Sequence, residues 1–246
     1  MDSPEADIYI HVDKKCNNFD YIRARSIIKL SELNFIANPV DVKWGGYSQI
    51  LAELLLLKIA MQKKEYDYFH LISGSDLLIT PVYDIISRCD NSQKAIFLDC
   101  RKITKKDDIK LYQRVATPHV MVDWFGNKSK LKSLLARGID KVQTNYRFFV
   151  LRQDEVYRRK LTLFFGANWF SMPRDVVEYL LDQEPEIKSI FSNGRNVDEL
   201  FVQTILGNVE AFKRRIIKPQ RFIDWSAGLA HPKTLTMDDY QRIMTS

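Results

Sequence analysis

The chain has 246 residues, 46% of them hydrophobic and 28% charged, a balance that supplies a packed core and excludes a disordered or fibrous protein. Its three cysteines, Cys16, Cys89 and Cys100, cannot all pair within one molecule and lack metal-ligand spacing, so they read as reduced thiols and favour a cytoplasmic compartment. The formal charge of +6 invites a nucleic-acid partner, but the cations fall in short groups such as Lys105-Lys106 and Lys213-Arg214-Arg215 without interleaved aromatics. Nucleic acid is therefore set aside in favour of a scattered, solvated surface; a basic cleft for a nucleotide-sugar diphosphate, or attraction to an anionic membrane surface, explains the same charge, and charge alone does not choose between them.

Apolar runs alternate with helical patterns along the chain, which predicts an α/β protein, one domain over residues 1–246 with a sheet flanked by helices. Asp7 to Val12 reads as a strand. Ser48 to Lys63 reads as a helix capped by Ser48, with Leu51, Leu54, Leu55, Lys58 and Ile59 as its inner stripe. Tyr66 to Ile72 is a buried strand, Pro81 opens a helix through Ser87, and Lys94 to Leu98 is the next strand. The middle is less regular, with a helix around Lys128 to Arg137 and aromatic segments at Tyr146 to Val150 and Leu161 to Phe170. Pro173 opens another helix, a Ser192-to-Asn196 loop leads into an amphipathic helix from Val197, Lys218 to Trp225 reads as a late strand, and a capping sequence at Thr236 starts a last helix. No apolar run is long enough to span a bilayer, and the first residues lack a signal-peptide pattern.

Several positions carry chemistry. His11-Val12-Asp13 falls where a strand ends, the side of an open sheet that holds ligands. Asp13 there either accepts from a nucleotide or caps a turn. Trp44-Gly45-Gly46-Tyr47-Ser48 sets an aromatic beside a permissive turn, suited to a base or sugar face and equally to an ordinary loop with Trp44 as a lid. Ser73-Gly74-Ser75-Asp76 offers one carboxylate where many nucleotide-sugar enzymes carry Asp-x-Asp, a poor basis for a metal site, so Asp76 is expected to organise its loop. Trp169 is a candidate sugar platform that reads more readily as core, and Lys233, after His231-Pro232, either offsets diphosphate charge or is a solvated lysine. Asp198-Glu199 lies at a helix start, where a carboxylate stabilises the macrodipole; Asp198 fits that role better than Glu199.

Taken together and in this order, the His-Val-Asp, Trp-Gly-Gly-Tyr-Ser, Ser-Gly-Ser-Asp and Asp-Glu blocks resemble the core-2/I-branching glycosyltransferases, which include β-1,6-N-acetylglucosaminyltransferases and peptide O-xylosyltransferases. The resemblance implies a nucleotide-diphospho-sugar transferase (GT-A-like) fold and an inverting, metal-independent transfer from UDP-N-acetylglucosamine to a glycan or lipid-linked saccharide. No metal or other cofactor is expected. UDP-xylose is the alternative donor, and a noncatalytic carbohydrate-binding relative the alternative class. It implies Glu199 as general base, Asp13 with His11 and Trp44 on the nucleotide, Asp76 and Lys233 on the donor side, and Trp169, Arg221 and Trp225 on the acceptor side. Leu78 stands where the family usually has proline. The resemblance also implies a strand and helix ahead of the His-Val-Asp block and a Phe-Ala-Arg-Lys-Phe-like segment after the last helix. Only six residues precede Asp7, and Met244-Thr245-Ser246 ends the chain, so the expectation is a truncated copy, its first central strand missing, with weakened donor binding and stability.

Overall fold

The computed structural model describes residues 2–126, 129–219, 221–226, 228 and 232–244. In chain order the elements are β1 (Ile8–Ile10), α1 (Tyr21–Ile27), β2 (Leu33–Phe35), α2 (Ser48–Lys63), β3 (Tyr68–His70), α3 (Val82–Asp90), β4 (Ile96–Leu98), β5 (Arg101–Ile103) and α4 (Ile109–Ala116). A 3₁₀ turn (Val122–Trp124) leads to α5 (Lys130–Asn145), which runs on as a π-helical turn over Tyr146–Val150. Then come α6 (Glu155–Arg158), β6 (Leu163–Phe165), β7 (Phe170–Pro173), α7 (Arg174–Asp182), α8 (Glu184–Phe191), α9 (Phe201–Gly207), α10 (Glu210–Lys213), β8 (Ile216–Ile217), a second 3₁₀ turn (Met237–Asp239) and α11 (Tyr240–Met244).

The α/β class expected from the sequence is present, but the strands divide among three ladders. β3, β7, β4 and β8 form a mixed sheet in that order, antiparallel except for the β4–β8 pair. β1 pairs in parallel with β2, from Ile8 with Leu33 to Ile10 with Phe35, and β5 pairs antiparallel with β6. The strands are short, two to four residues each. Helices supply most of the core. Phe170, Met172, Val176, Leu180, Phe191, Leu200 and Phe201 are fully buried, and each contributes about 1.5–3 kcal/mol of hydrophobic stabilisation.

Four readings of the sequence are corrected. The buried residues of α2 are Ile50, Ala52, Glu53, Leu54, Leu57 and Ala60, whereas Leu51 and Lys58 face solvent. The helix is apolar nearly all round, so periodicity could not set its phase. Ser48 does not cap it; its hydroxyl accepts from the Lys43 amide at 2.7 Å and braces the preceding loop. Lys218 to Trp225 is not a strand among the described residues, the ladder ending at Ile217. The helix placed at Lys128 to Arg137 begins at Lys130 and continues to Asn145; Lys128 lies outside the described residues, as does His231.

Candidate active site

Asp198 and Glu199 lie in the turn that feeds α9, before its first helical residue rather than within it. Val197, Leu200 and Phe201 are fully buried. With apolar anchors on both sides, the Glu199 carboxylate between them is turned towards the surface. The amides of Leu200 and Phe201 both donate to the Val197 carbonyl at 3.0 Å, which tightens the turn. Asn196 adopts φ 47°, and its amide donates to the Gly45 carbonyl at 2.8 Å, joining this turn to the Trp44-Gly45-Gly46 loop. Gly45 itself has φ +76°, and a Cβ there would meet the Asn196 Oδ1 at 2.4 Å, so glycine is required.

The Glu199 side chain is one-third exposed, and its Oε2 accepts from Arg114 Nη1 at 2.7 Å. Arg114 comes from α4, whose N-cap Asp108 accepts from the Leu111 amide. The Glu199 Oε1 has no hydrogen-bond partner among the described residues. The Glu199 carbonyl is held from below by the Gly166 amide at 3.1 Å. Gly166 packs so closely on β4's end that a Cβ would lie 1.8 Å from the Asp99 carbonyl oxygen.

Beside Glu199 a second acid is withdrawn into the protein. Asp198 Oδ2 accepts from Gln49 Nε2 at 3.0 Å, and Gln49 Oε1 accepts from the Gly45 amide at 2.6 Å, so one side chain of α2 ties both loops together. Burial, and next the charge of Glu199, push the Asp198 carboxyl up to about 6. One helical turn further, Glu53 is 7% exposed on the inner face of α2. Its Oε1 accepts from Asn168 Nδ2 at 2.7 Å, and its Oε2 has no partner. Burial, with Asp198's charge adding to it and the Asn168 bond only partly offsetting it, raises the Glu53 carboxyl well above the usual range. That environment favours the neutral, protonated form of Glu53 over the carboxylate. The sequence carries a signal for this residue, one carboxylate in the run Leu51-Ala52-Glu53-Leu54-Leu55, but motif reasoning misses it, as it does Gln49, Arg114 and Asn168.

Of the nucleotide-side candidates, Trp44 belongs to the loop that the Asn196 amide ties to this turn, while His11 and Asp13 are held within the 11–43 segment. His11 Nε2 accepts from the Val40 amide at 2.8 Å, and burial lowers its pKa, so the ring is neutral and braces the 40–43 segment. Asp13 Oδ1 accepts from the Lys15 amide at 2.9 Å, with the Lys15 ammonium 3.3 Å from its other oxygen. Trp44 is 55% exposed, with the Arg137 guanidinium 5.5 Å from its ring centroid. Beside it opens a cleft of about 470 Å³, lined among others by Asp41, Lys43, Gly46, Tyr47, His119 and Asp123, a volume in the range of small-molecule sites.

Asp76, Arg221 and Trp169 form a second group past β3. Asp76 accepts from the Ser73 amide at 2.7 Å, closing its own loop, and Arg221 Nη1 lies 3.4 Å from the same oxygen. The Arg221 guanidinium sits 5.9 Å from the centre of the Trp169 ring, and Trp169 follows the Asn168 that binds Glu53. Lys233 and Trp225 lie apart from both groups in their described contacts. Lys233 Nζ donates to Asp239 at 2.8 Å and its amide to the Asp224 carbonyl at 2.7 Å, both within the carboxyl-terminal segment. Trp225 is 56% exposed. Among the described residues no three His, Cys, Asp or Glu side chains are grouped to hold a metal ion.

Comparison with known proteins adds the family. No curated protein matches this sequence. The sequence profile of the Core-2/I-Branching enzyme family matches residues 2–245, essentially the whole chain, with the Gly45 loop, the Asp76 loop and the Glu199 turn all inside it. The chain therefore belongs to the Core-2/I-Branching enzyme family, a family of glycosyltransferases.

Proposed function

We propose that this protein is an inverting, metal-independent glycosyltransferase of GT-A-like architecture that moves a sugar, N-acetylglucosamine first among the candidates, from a UDP-sugar to a hydroxyl of a glycan or lipid-linked saccharide. The observation that carries the reading is the Glu199 carboxylate, turned towards the surface at the head of α9, gripped at Oε2 by Arg114 and left with Oε1 open. An inverting transfer needs one such group. The acceptor oxygen attacks the anomeric carbon from the face opposite UDP, the bond from that carbon to the diphosphate oxygen breaks with its electron pair leaving on UDP, and the acceptor proton passes to Oε1. Arg114 fixes the carboxylate's direction, which is the orienting function a third group performs for a base.

The uracil and ribose are assigned to Asp13 and Trp44, with His11 as support; the reading is supported by the bond from the Asn196 amide to the Gly45 carbonyl, which ties the Trp44 loop to the Glu199 turn. Trp169, held under Arg221, and Trp225 are assigned to the acceptor. Asp76 organises its loop on the donor side. Lys233 reaches a diphosphate only by leaving Asp239. We place the enzyme at the cytoplasmic face of a membrane, where lipid-linked saccharides are built.

The test is turnover with a panel of UDP-sugars including UDP-N-acetylglucosamine and UDP-xylose, with and without EDTA, the anomeric configuration of the product read by NMR. Conversion of an α-linked donor to a β-linked product at a rate indifferent to EDTA is expected. Retention of configuration, or activity lost to EDTA and restored by manganese, would overturn the mechanism. Glycan binding with no turnover of any donor would make the protein a binding relative.

A further inference from the structure

α5 is attached to the protein by the wrong face for a core helix. Over its 16 residues, about 24 Å of helix, the only buried side chains are Ala136, Asp140 and Thr144, a narrow stripe of one small and two polar residues. Asp140 is engaged there by His119 Nδ1 at 2.9 Å and by Arg195 at 3.6 Å. On the opposite side Leu131, Leu134, Leu135, Ile139, Val142 and Tyr146 are between 50% and 72% exposed. At about 100° per residue they share an arc of roughly 140°, interrupted only by Gly138 and Asn145. Phe149 and Val150 of the π-helical turn prolong the patch, at 49% and 61% exposed. So extended an apolar surface marks a contact site.

The charges around it say what it contacts. From Lys130 to Arg152 there are six cations and one carboxylate, and that carboxylate is the buried Asp140. Lys130, Arg137 and Lys141 border the apolar arc on one shoulder and Lys132 on the other, and no carboxylate pairs with any of the four among the described residues. Lys132 lies over the exposed Trp124 ring, 5.9 Å from its centre, so an aromatic sits at the level of the cations. The nearby Asp123 is turned away, towards Gly46. An apolar face with cationic shoulders and amphipathic aromatics is the form of a helix that lies in a bilayer interface, its apolar side among the acyl chains and its cations at lipid phosphates. A protein partner of ordinary surface would leave this one-signed rim unmatched.

We propose that α5, with the π-helical turn that follows it, is a docking surface for an anionic lipid bilayer. Its position gives the docking a use. Arg137 stacks over Trp44, Asp140 bridges to Arg195 beside the Glu199 turn, and the 3₁₀ turn against α5 lines the cleft, so a docked α5 holds the cleft mouth next to the lipid surface. A saccharide carried on a lipid is presented at that level. The surface deepens the functional reading but is tested without donor or turnover, so failure of one does not entail failure of the other.

The test is co-sedimentation of the intact protein with phosphatidylcholine vesicles, pure or with about 30% phosphatidylglycerol, at low and at physiological salt. Binding to the anionic vesicles alone, weakened by salt, is expected. Leu134→Glu with Val142→Glu should lower it more than tenfold, and each of Lys130→Gln, Lys132→Gln and Lys141→Gln about fivefold, with far-UV circular dichroism and thermal midpoint unchanged because all five positions are exposed. Lys213→Gln with Arg214→Gln, cations on α10 and just after it, away from any apolar arc, should leave it as it was. The proposal falls if the protein does not bind anionic vesicles at low salt, if the Leu134 and Val142 variant binds as well as the parent, or if the Lys213 and Arg214 control loses as much. It also falls if the Leu134 and Val142 variant instead abolishes a dimer while no lipid binding is seen, which would make the face a self-interface.

Discussion

Replacing Asp198 with asparagine tests whether an acid is held in the wrong environment behind Glu199. The carboxyl is lifted from its ordinary 3.8 to about 6, first by burial and next by the charge of Glu199. Its folded-state pKa is above its unfolded one, so the folded state holds the proton more tightly between about pH 4 and pH 6. The stability this supplies is fully present below about pH 4 and is lost as pH rises through about 6. The lift corresponds to about 3 kcal/mol at most, since each tenfold change in proton affinity is worth about 1.4 kcal/mol. The amide introduced by Asp198→Asn keeps an oxygen for Gln49 and cannot titrate. Urea denaturation of both proteins from about pH 4 to pH 8 should show the stability difference moving in favour of Asp198→Asn by up to about 3 kcal/mol, the movement complete by about pH 7. Titrating groups not coupled to Asp198 are common to both proteins and cancel in the difference, and Glu199 and Glu53, which are coupled to it, are isolated by double variants with Glu199→Gln and Glu53→Gln. In a Glu199→Gln background the movement should shrink, because the second cause is gone. A difference that stays flat with pH, or moves the other way, would show that Asp198 is not buried beside a charge and that the turn is drawn wrongly.

Two further outcomes follow from the same region. Glu53→Gln keeps the side chain's shape and an acceptor for Asn168 without a titratable group, so thermal unfolding should place it no more than about 1 kcal/mol below the parent, whereas Glu53→Ala strands the Asn168 amide and opens a cavity, costing at least about 2 kcal/mol. Gly166→Ala forces a Cβ onto the Asp99 carbonyl and should destabilise by about 3 kcal/mol while shifting the Glu199 backbone, but Gly138→Ala, with open space on α5, should stabilise by about 0.5–1 kcal/mol in the same assay.

The parts of the fold readable from sequence are those with hard punctuation. Pro81 and Pro173 stand immediately before α3 and α7, where a ring that fixes φ and lacks an N–H is tolerated, and α2 is legible at both ends because its apolar run is long. β2 is not legible, because Leu33-Asn34-Phe35 is too short to display a period and its strand character comes from Ile8 to Ile10 alongside. α4 is bounded by punctuation as well, Asp108 capping its start and Pro118 following its last residues Ala116 and Thr117, although no element is assigned to this stretch from the sequence alone. The aromatic segment Tyr146 to Val150 has no local pattern that sets its type, and it is the continuation of α5. At the site, motif blocks point to Glu199, Asp13 and Trp44, but what holds the site together comes from separate helices and a loop: Gln49 and Glu53 on α2, Arg114 on α4, and Asn168 ahead of β7. Such groups are joined by tertiary packing between segments far apart in the chain, which no local pattern records.

The central claim, that Glu199 takes the acceptor proton, is tested most directly by Glu199→Gln measured in a single turnover alongside calorimetric binding of UDP. The substitution keeps the size and an oxygen for Arg114 and removes only the base, so the rate of transfer should fall by about 10²–10⁴ with UDP affinity and thermal midpoint unchanged. Transfer at the parent rate by Glu199→Gln would contradict the assignment outright.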